Sequence, residues 1–347
     1  MALLWFKSWL TAAALGVISA QGAFSSQSAW AQVRAWVDPD LLAKAKAEGT
    51  LTVYGSMNEQ EALPFWKLYT DATGIKVDYI RSSDTGLLSR IAVESRAGQS
   101  GFDVIVTTAV SKLPDRLLKQ FDLKDTTTLM PQAIDKNRRW YGVYANYNTP
   151  QYNTRLVDGT KLPKTFEEFA ARGDLAGKAV IDPNDSQWIY AMFQHYGETK
   201  ARKLIGDLMT NLKIIKLDGH LALARAIGLG EYAISPNNYT NLVTNVSMAG
   251  NPTDWWVIEP IAVFFGQVGI SAQAPHPNAA LLAANFTVGI EAQQQLTKAG
   301  RIPVRRDVTP APSNLYERFG KAAIITVTFS PEDEKKWKGI TQQLLGR

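Results

Sequence analysis

The sequence has no cysteine, only three histidines and no long run of like charge. Without Cys there can be no thiolate metal site, no redox dithiol and no cysteine nucleophile. His195, His220 and His276 lie far apart, and none belongs to an HExxH pattern, so a zinc site has no framework. There is no G-x-S-x-G for a serine-nucleophile elbow. Neither a Walker A loop nor a G-x-G-x-x-G follows any strand pattern, so nucleotide binding is not indicated. The 37 Lys and Arg against 32 Asp and Glu leave a net charge of +5. They are scattered, and nucleic-acid binding lacks its electrostatic footprint. Internal repeats are absent too, as is a second apolar stretch of the ~18 residues needed to span a bilayer.

What is present is the composition of a soluble globular chain: 347 residues, 46% hydrophobic and 20% charged, enough for one large or two medium domains. One charge, Lys7, precedes an apolar run from Trp9 to Ala20, too short to cross a membrane. Ser28-Ala29-Trp30-Ala31-Gln32 then satisfies the small-x-small rule of signal peptidase. We therefore expect a signal peptide over 1–31, cleaved after Ala31, and an exported periplasmic product. With no Cys behind the apolar run, a lipid anchor is chemically excluded.

Beyond it, short apolar runs alternate with helical patterns, which predicts an α/β fold with mostly parallel sheets. Strands are expected at Leu51–Tyr54, Val77–Ile80, Val104–Val106, Val180–Ile181 and Tyr232–Ile234. Helices are expected at Asp38–Glu48, Leu87–Ala97, Lys112–Gln120, Thr165–Arg172, Ser186–Tyr196, Thr199–Leu212 and Gly219–Gly228. Thr165-Phe166-Glu167-Glu168 reads as a capping box. Pro64, inside a helical pattern after Asn58, predicts a late start or a kink.

The turns after the strands carry the information. They read Gly55-Ser56-Met57-Asn58, Arg81-Ser82-Ser83-Asp84-Thr85-Gly86, Thr107-Thr108, Asp182 to Gln187, and Ser235 to Thr240. In open parallel sheets ligands bind outside the carboxyl ends of the strands. Hydroxyls and amides at helix starts, where backbone N–H groups are free, suit a polar or anionic ligand. Each such turn is also an ordinary helix cap taken alone; five together point to a cleft.

These residues resemble the substrate-binding proteins of ABC importers, and within them the ferric-ion-binding proteins. The matching stretches are Leu51–Tyr54, Thr73–Val77, Phe102–Val104, Trp140–Leu156, Ile234–Tyr239 and Ala274–Ala280, in order across most of the chain. The resemblance implies a two-lobed periplasmic-binding-protein fold (type 2), each lobe a mostly parallel sheet flanked by helices, hinged by crossing strands. By analogy the crossings lie near Tyr141–Asn148 and Pro260–Phe265. Lobe 1 is then 49–143 plus 262–300, and lobe 2 is 144–261 plus 301–347.

The ferric site carries over only in part. Where that family has a His after the first strand this chain has Asn58, and where it has a Glu after the third it has Thr108. Its paired tyrosines become Tyr239 and Thr240, and its anion-holding Arg becomes Asn146. Hard Fe(III) needs anionic oxygens, so Tyr239 is the one good metal ligand left, and no resident metal or cofactor is expected.

The neutral groups of Ser56, Asn58, Ser83, Thr85, Thr108, Asn146, Ser186, Asn238 and Tyr239 suit a small oxygen-rich organic solute. Arg81 offers a bidentate clamp for a carboxylate or phosphonate, or else an ion pair with Asp84 or Asp103. Asp185 either caps a helix or meets a cationic ligand group. Trp188 and Tyr144 could pack on an apolar ligand face. The expectation is a monomeric, non-catalytic carrier of an anionic organic solute, handing it to an inner-membrane permease that the resemblance implies. A ferric-iron or ferric-chelate carrier is the alternative, and a secreted hydrolase the alternative of a different class.

Overall fold

The computed structural model describes residues 34–346; the expected signal peptide and its cleavage site lie outside the described residues. From Ala35 onward the chain forms one unit. It begins with α1 (Pro39–Glu48), β1 (Thr50–Gly55), α2 (Glu59–Thr73), β2 (Lys76–Arg81), α3 (Asp84–Arg96) and β3 (Val104–Thr107). A stretch of 3-10 turns leads to β4 (Trp140–Asn153). Next come α4 (Phe166–Ala170), β5 (Val180–Ile181), α5 (Ser186–Tyr196), α6 (Glu198–Asn211), β6 (Ile215–Lys216), α7 (His220–Leu229), β7 (Ile234–Tyr239), α8 (Thr240–Met248) and β8 (Thr253–Trp255). The last part is β9 (Ile261–Ile270), α9 (Pro277–Thr287), α10 (Ile290–Lys298), β10 (Ile302–Pro303), α11 (Leu315–Phe319), β11 (Ile324–Thr326) and α12 (Pro331–Leu345). Among the described residues no helix is long and apolar enough to cross a membrane.

The strands run in the order β10-β4-β9-β3-β1-β2, with β7 and β8 also on β4 and β11 on β9. The β3-β1-β2 and β5-β6 pairings are parallel, whereas β4 and β9 run antiparallel from Trp140↔Gly269 to Asn148↔Ala262. That long pair is shared by two large apolar cores. One gathers Val53, Phe65, Tyr69, Val104, Phe265 and Phe286. The other gathers Phe166, Trp188, Leu204, Ile234, Phe264 and Trp337. Fully buried runs like Val104–Thr107 follow from helices covering both sheet faces. Ile302, Val304, Leu315 and Phe319 pack in the first core, and only the tail from about Ile325 joins the second.

Four local expectations differ from what is observed. Lys112–Gln120 is not a helix but two 3-10 turns, because Pro114 removes a donor and drives Leu113 to φ -78, ψ 143. The strand expected at Tyr232–Ile234 runs Ile234–Tyr239 instead, its Ser-Pro-Asn-Asn stretch pairing with β4. Helix α2 starts at Glu59, not late, so Pro64 lies in its second turn. At Thr165 the hydroxyl accepts from Glu168 N as the capping box requires, but Glu168 accepts from Lys164 N rather than from the cap.

Candidate functional site

The strand-end turns surround a cleft of about 490 Å³. Its floor comes from the long strand pair. Tyr144 and Asn146, two apart on β4, share one face, and a bulge at Val143, between Gly142↔Gln267 and Tyr144↔Gly266, breaks the register just before them. Phe264 stands beside Asn146 in the register. A Cβ on Gly266 would sit 2.1 Å from Tyr144 Cζ, so only glycine lets that ring lie down on the sheet. Over the same ring, at 4.6 Å from its centroid, lies the Arg301 guanidinium, which pairs with Glu61 at 2.8 Å.

One wall carries Ser56, Asn58, Asp84, Thr108 and Lys112, from the ends of β1 and β3 and the start of α3. Asn58 precedes α2 but its side chain makes no capping bond, leaving it free toward the cleft. Thr107 and Thr108 both donate their hydroxyls to Asp84. The Thr108 hydroxyl is therefore already committed, and it helps hold the Asp84 carboxylate in the wall of the cleft. Ser56 Oγ lies 3.3 Å from Thr107 Oγ1.

The opposite wall carries Asp182, Asn184, Ser186, His220 and Tyr239. Tyr239 ends β7 and stacks on His220, ring centroids 3.7 Å apart, with Phe264 edge-on at 5.2 Å. Burial, and then the carboxylates of Asp185, Asp182 and Asp84, push the Tyr239 phenol well above its ordinary pKa. His220 Nε2 lies 3.6 Å from Asp182 and 3.5 Å from Asp185, and its Nδ1 3.2 Å from Asn238 Oδ1. Asp182 accepts backbone N–H groups from Asn184 and Gly219.

The structure thus gathers Ser56, Asn58, Thr108, Asn146, Ser186 and Tyr239 around one cavity. Arg81, Ser83 and Thr85 stand outside its lining, exposed where β2 ends and α3 starts. Ser83 caps α3 by accepting from Gly86 N. Arg81 forms no ion pair with Asp84 or Asp103 among the described residues; Asp103 bonds Thr52 N and His276 instead. Asp185 is buried behind the wall, where it caps α5 through Trp188 N and accepts from Asn148 and Asn237. Burial pushes its carboxyl above the ordinary range. Asn238 is buried too, donating to Gln151 at 2.6 Å. Trp188 belongs to the second core, edge-on to Phe166, while Tyr144 does reach the cleft.

Lys112, Asp182, His220, Arg301 and Glu334 line the cleft without having been singled out as site residues. Asp182 and His220 stand at recognised turn and helix starts, a signal that was available. Arg301 and Glu334 are brought in by the β10 and α12 segments, and nothing local marks them.

Residues 66–323 match the family described as bacterial extracellular solute-binding protein. The Fe(3+)-binding periplasmic protein of Serratia marcescens is 21% identical over 192 residues, 54% of this chain and 56% of that protein, so the match spans about half of that relative's length. Among solved structures, AfuA of Actinobacillus pleuropneumoniae, with exogenous fructose-6-phosphate bound, superposes with a TM-score of 0.72 at 19% identity over 86% of this chain and 98% of its own. Iron-bound HitA of Pseudomonas aeruginosa gives 0.71 at 19% identity over 85% of this chain and 99% of its own. These neighbours share the two-lobed type 2 periplasmic-binding fold, and the chain belongs to the bacterial extracellular solute-binding protein family, whose members bind solutes rather than transform them.

Proposed function

We propose that this protein captures a small polar, anionic organic solute in the periplasm and delivers it to the inner-membrane permease of an ABC importer. It would act as a monomer, without cofactor, nucleic acid or catalysis, after removal of residues 1–31. Lobe 1, about 49–143 plus 262–300, and lobe 2, about 144–261 plus the tail, would close on the solute about the β4–β9 pair. Packing favours assigning 302–319 to the first lobe. Closure follows from contacts that exist only when both walls touch the ligand.

Asn146 carries the reading. It lines the cleft, is 2% exposed, and its side-chain amide has no hydrogen-bond partner among the described residues. The amide is thus left to a group that enters the cleft, and one hydrogen bond to a bound solute would contribute about 0.5–1.5 kcal/mol. An anionic group finds the starts of α2 and α8, where neither Asn58 nor Tyr239 makes a side-chain capping bond.

Ferric iron is the second reading, favoured by the names of two similar proteins and by Tyr239. Against it stand the Tyr239 phenol held protonated by its surroundings, and the absence, among the described residues, of three converging metal-ligating carboxylates or imidazoles.

A thermal-shift screen of the 32–347 protein against metals, carboxylates, phosphonates, sugars and amines tests the proposal. A ligand at a hundredfold over Kd adds about 2.7 kcal/mol of stability, and a true hit should also shrink the radius of gyration. Stabilisation by no compound of any class would sink the carrier reading. Intact mass of periplasmic material should show Gln32 as the first residue.

A further inference from the structure

The charges in the cleft do not balance. Lys112 is held by Glu334 at 2.8 Å and Arg301 by Glu61 at 2.8 Å, so both cations already have their anions. Asp84 and Asp182 remain, one on each wall. Among the described residues no Lys or Arg pairs with either; Asp84 has two threonine hydroxyls, and Asp182 has two backbone N–H groups and His220 Nε2 at 3.6 Å. The two carboxylates line the same cleft as Tyr239 and Asn146. Two carboxylates enclosed by a closing cleft, with no Lys or Arg paired to either, would be strongly disfavoured.

Resting on the reading of this cleft as the solute site, we infer that the solute is a zwitterion whose ammonium group is seated between Asp84 and Asp182. An independent observation points the same way: the buried, unpartnered amide of Asn146 on the floor offers a carbonyl oxygen as a third acceptor for an N–H donor. A desolvated metal ion is the poorer occupant, because no group of three His, Asp or Glu side chains is placed to hold one among the described residues. The anionic end of the solute then falls to the free starts of α2 and α8. Thr107 and Thr108 fix the orientation of Asp84, and Asn184 and Gly219 that of Asp182, so both carboxylates stand in place before the solute arrives.

Matched probes decide it. The 32–347 protein is titrated calorimetrically with 3-aminopropionate against propionate and phosphoethanolamine against ethyl phosphate, beside the wider thermal-shift screen. The amine-bearing member of a pair should bind ~10–100-fold more tightly, the range expected of a charge-assisted hydrogen bond. Asp84→Asn and Asp182→Asn should each cut that preference to a few-fold. Circular dichroism and apo melting establish that the variants fold, and Asp84→Ser replaces any that does not. Amine-free members that bind as well, or a screen returning only amine-free anions, metals or sugars, overturn the zwitterion while leaving the carrier intact. A preference untouched by both substitutions overturns the seat. No binding by any compound overturns this inference and the carrier reading together.

Discussion

Lys112 and Glu334 form an ion pair of 2.8 Å between segments that belong to different cores. Lys112 follows β3, between Val110 and Leu113 of a smaller cluster with Tyr54 and Leu87; Glu334 stands on α12, whose Trp337 packs in the second core. Both side chains line the cleft, so the pair acts as a clasp across it. Glu334→Gln should loosen the apo protein toward a more open form, at a cost of about 0.2–1 kcal/mol. Small-angle scattering checks this: the apo radius of gyration should grow in the variant, and in the parent as salt is raised. An unchanged radius in both conditions would show that the pair does not hold the lobes together.

Asn146→Leu separates binding from folding. Removing an amide with no partner should leave the apo melting temperature unchanged or raise it. The same substitution should weaken the best solute about tenfold or more, since one ligand hydrogen bond and the fit are both lost. A destabilised apo protein with unchanged affinity would make Asn146 a purely structural residue.

Asp185→Asn should do the reverse. Its carboxylate caps α5 and accepts from Asn148 and Asn237, so the amide cannot satisfy all three donors equally. A loss of about 2 kcal/mol in urea unfolding is expected, with only an indirect effect on affinity. A stable variant that no longer binds would return Asp185 to the ligand site that the sequence suggested.

Alkaline pH should unfold the protein through its buried phenols. Burial raises Tyr144 to about 12 and Tyr196 to about 12, and pushes Tyr239 well above the ordinary phenol value. Above pH 10 the unfolded chain loses phenolic protons that the folded chain keeps, so stability falls as pH rises from 10 toward 12. Each such group contributes up to about 1.4 kcal/mol per pH unit in that window. Phenolate absorbance should therefore rise together with loss of ellipticity. Phenols that ionise before any unfolding would contradict the burial.

Ferric citrate should give no tyrosinate charge-transfer band, because ionising Tyr239 opposes burial and three nearby carboxylates. A stoichiometric coloured complex that disappears in Tyr239→Phe would restore the iron reading.

Local chemistry wrote much of this protein in its sequence. Val180–Ile181 and Ser186–Tyr196 form as the apolar pattern and the Asp185 cap dictate, and the turns after β1, β3, β5 and β7 were legible as polar strand ends. The long strand β4 escaped pattern reading because Asn146, Asn148, Thr149, Gln151 and Asn153 look like a polar loop. All but Asn146 find their partners, such as Asp185, Thr240, Ala224 and Ile227, in distant parts of the chain. Arg81 reads as a clamp in sequence but lies exposed, whereas Arg301, which no pattern marks, reaches the cleft.

The sequence by itself determined the elements, their caps and the polar character of the strand ends, since each depends on neighbours within a few residues. Which of those polar groups face one cavity depended on the Val143 bulge, on the glycine beneath Tyr144, and on how β10 and α12 return to the sheet. Charge balance was decided there too. Whether Asp84 and Asp182 keep a counter-ion depends on where Lys112 and Arg301 find theirs, at Glu334 and Glu61, separated from them by more than two hundred positions. Such pairings are long-range Coulomb and packing choices, which only the folded chain can make.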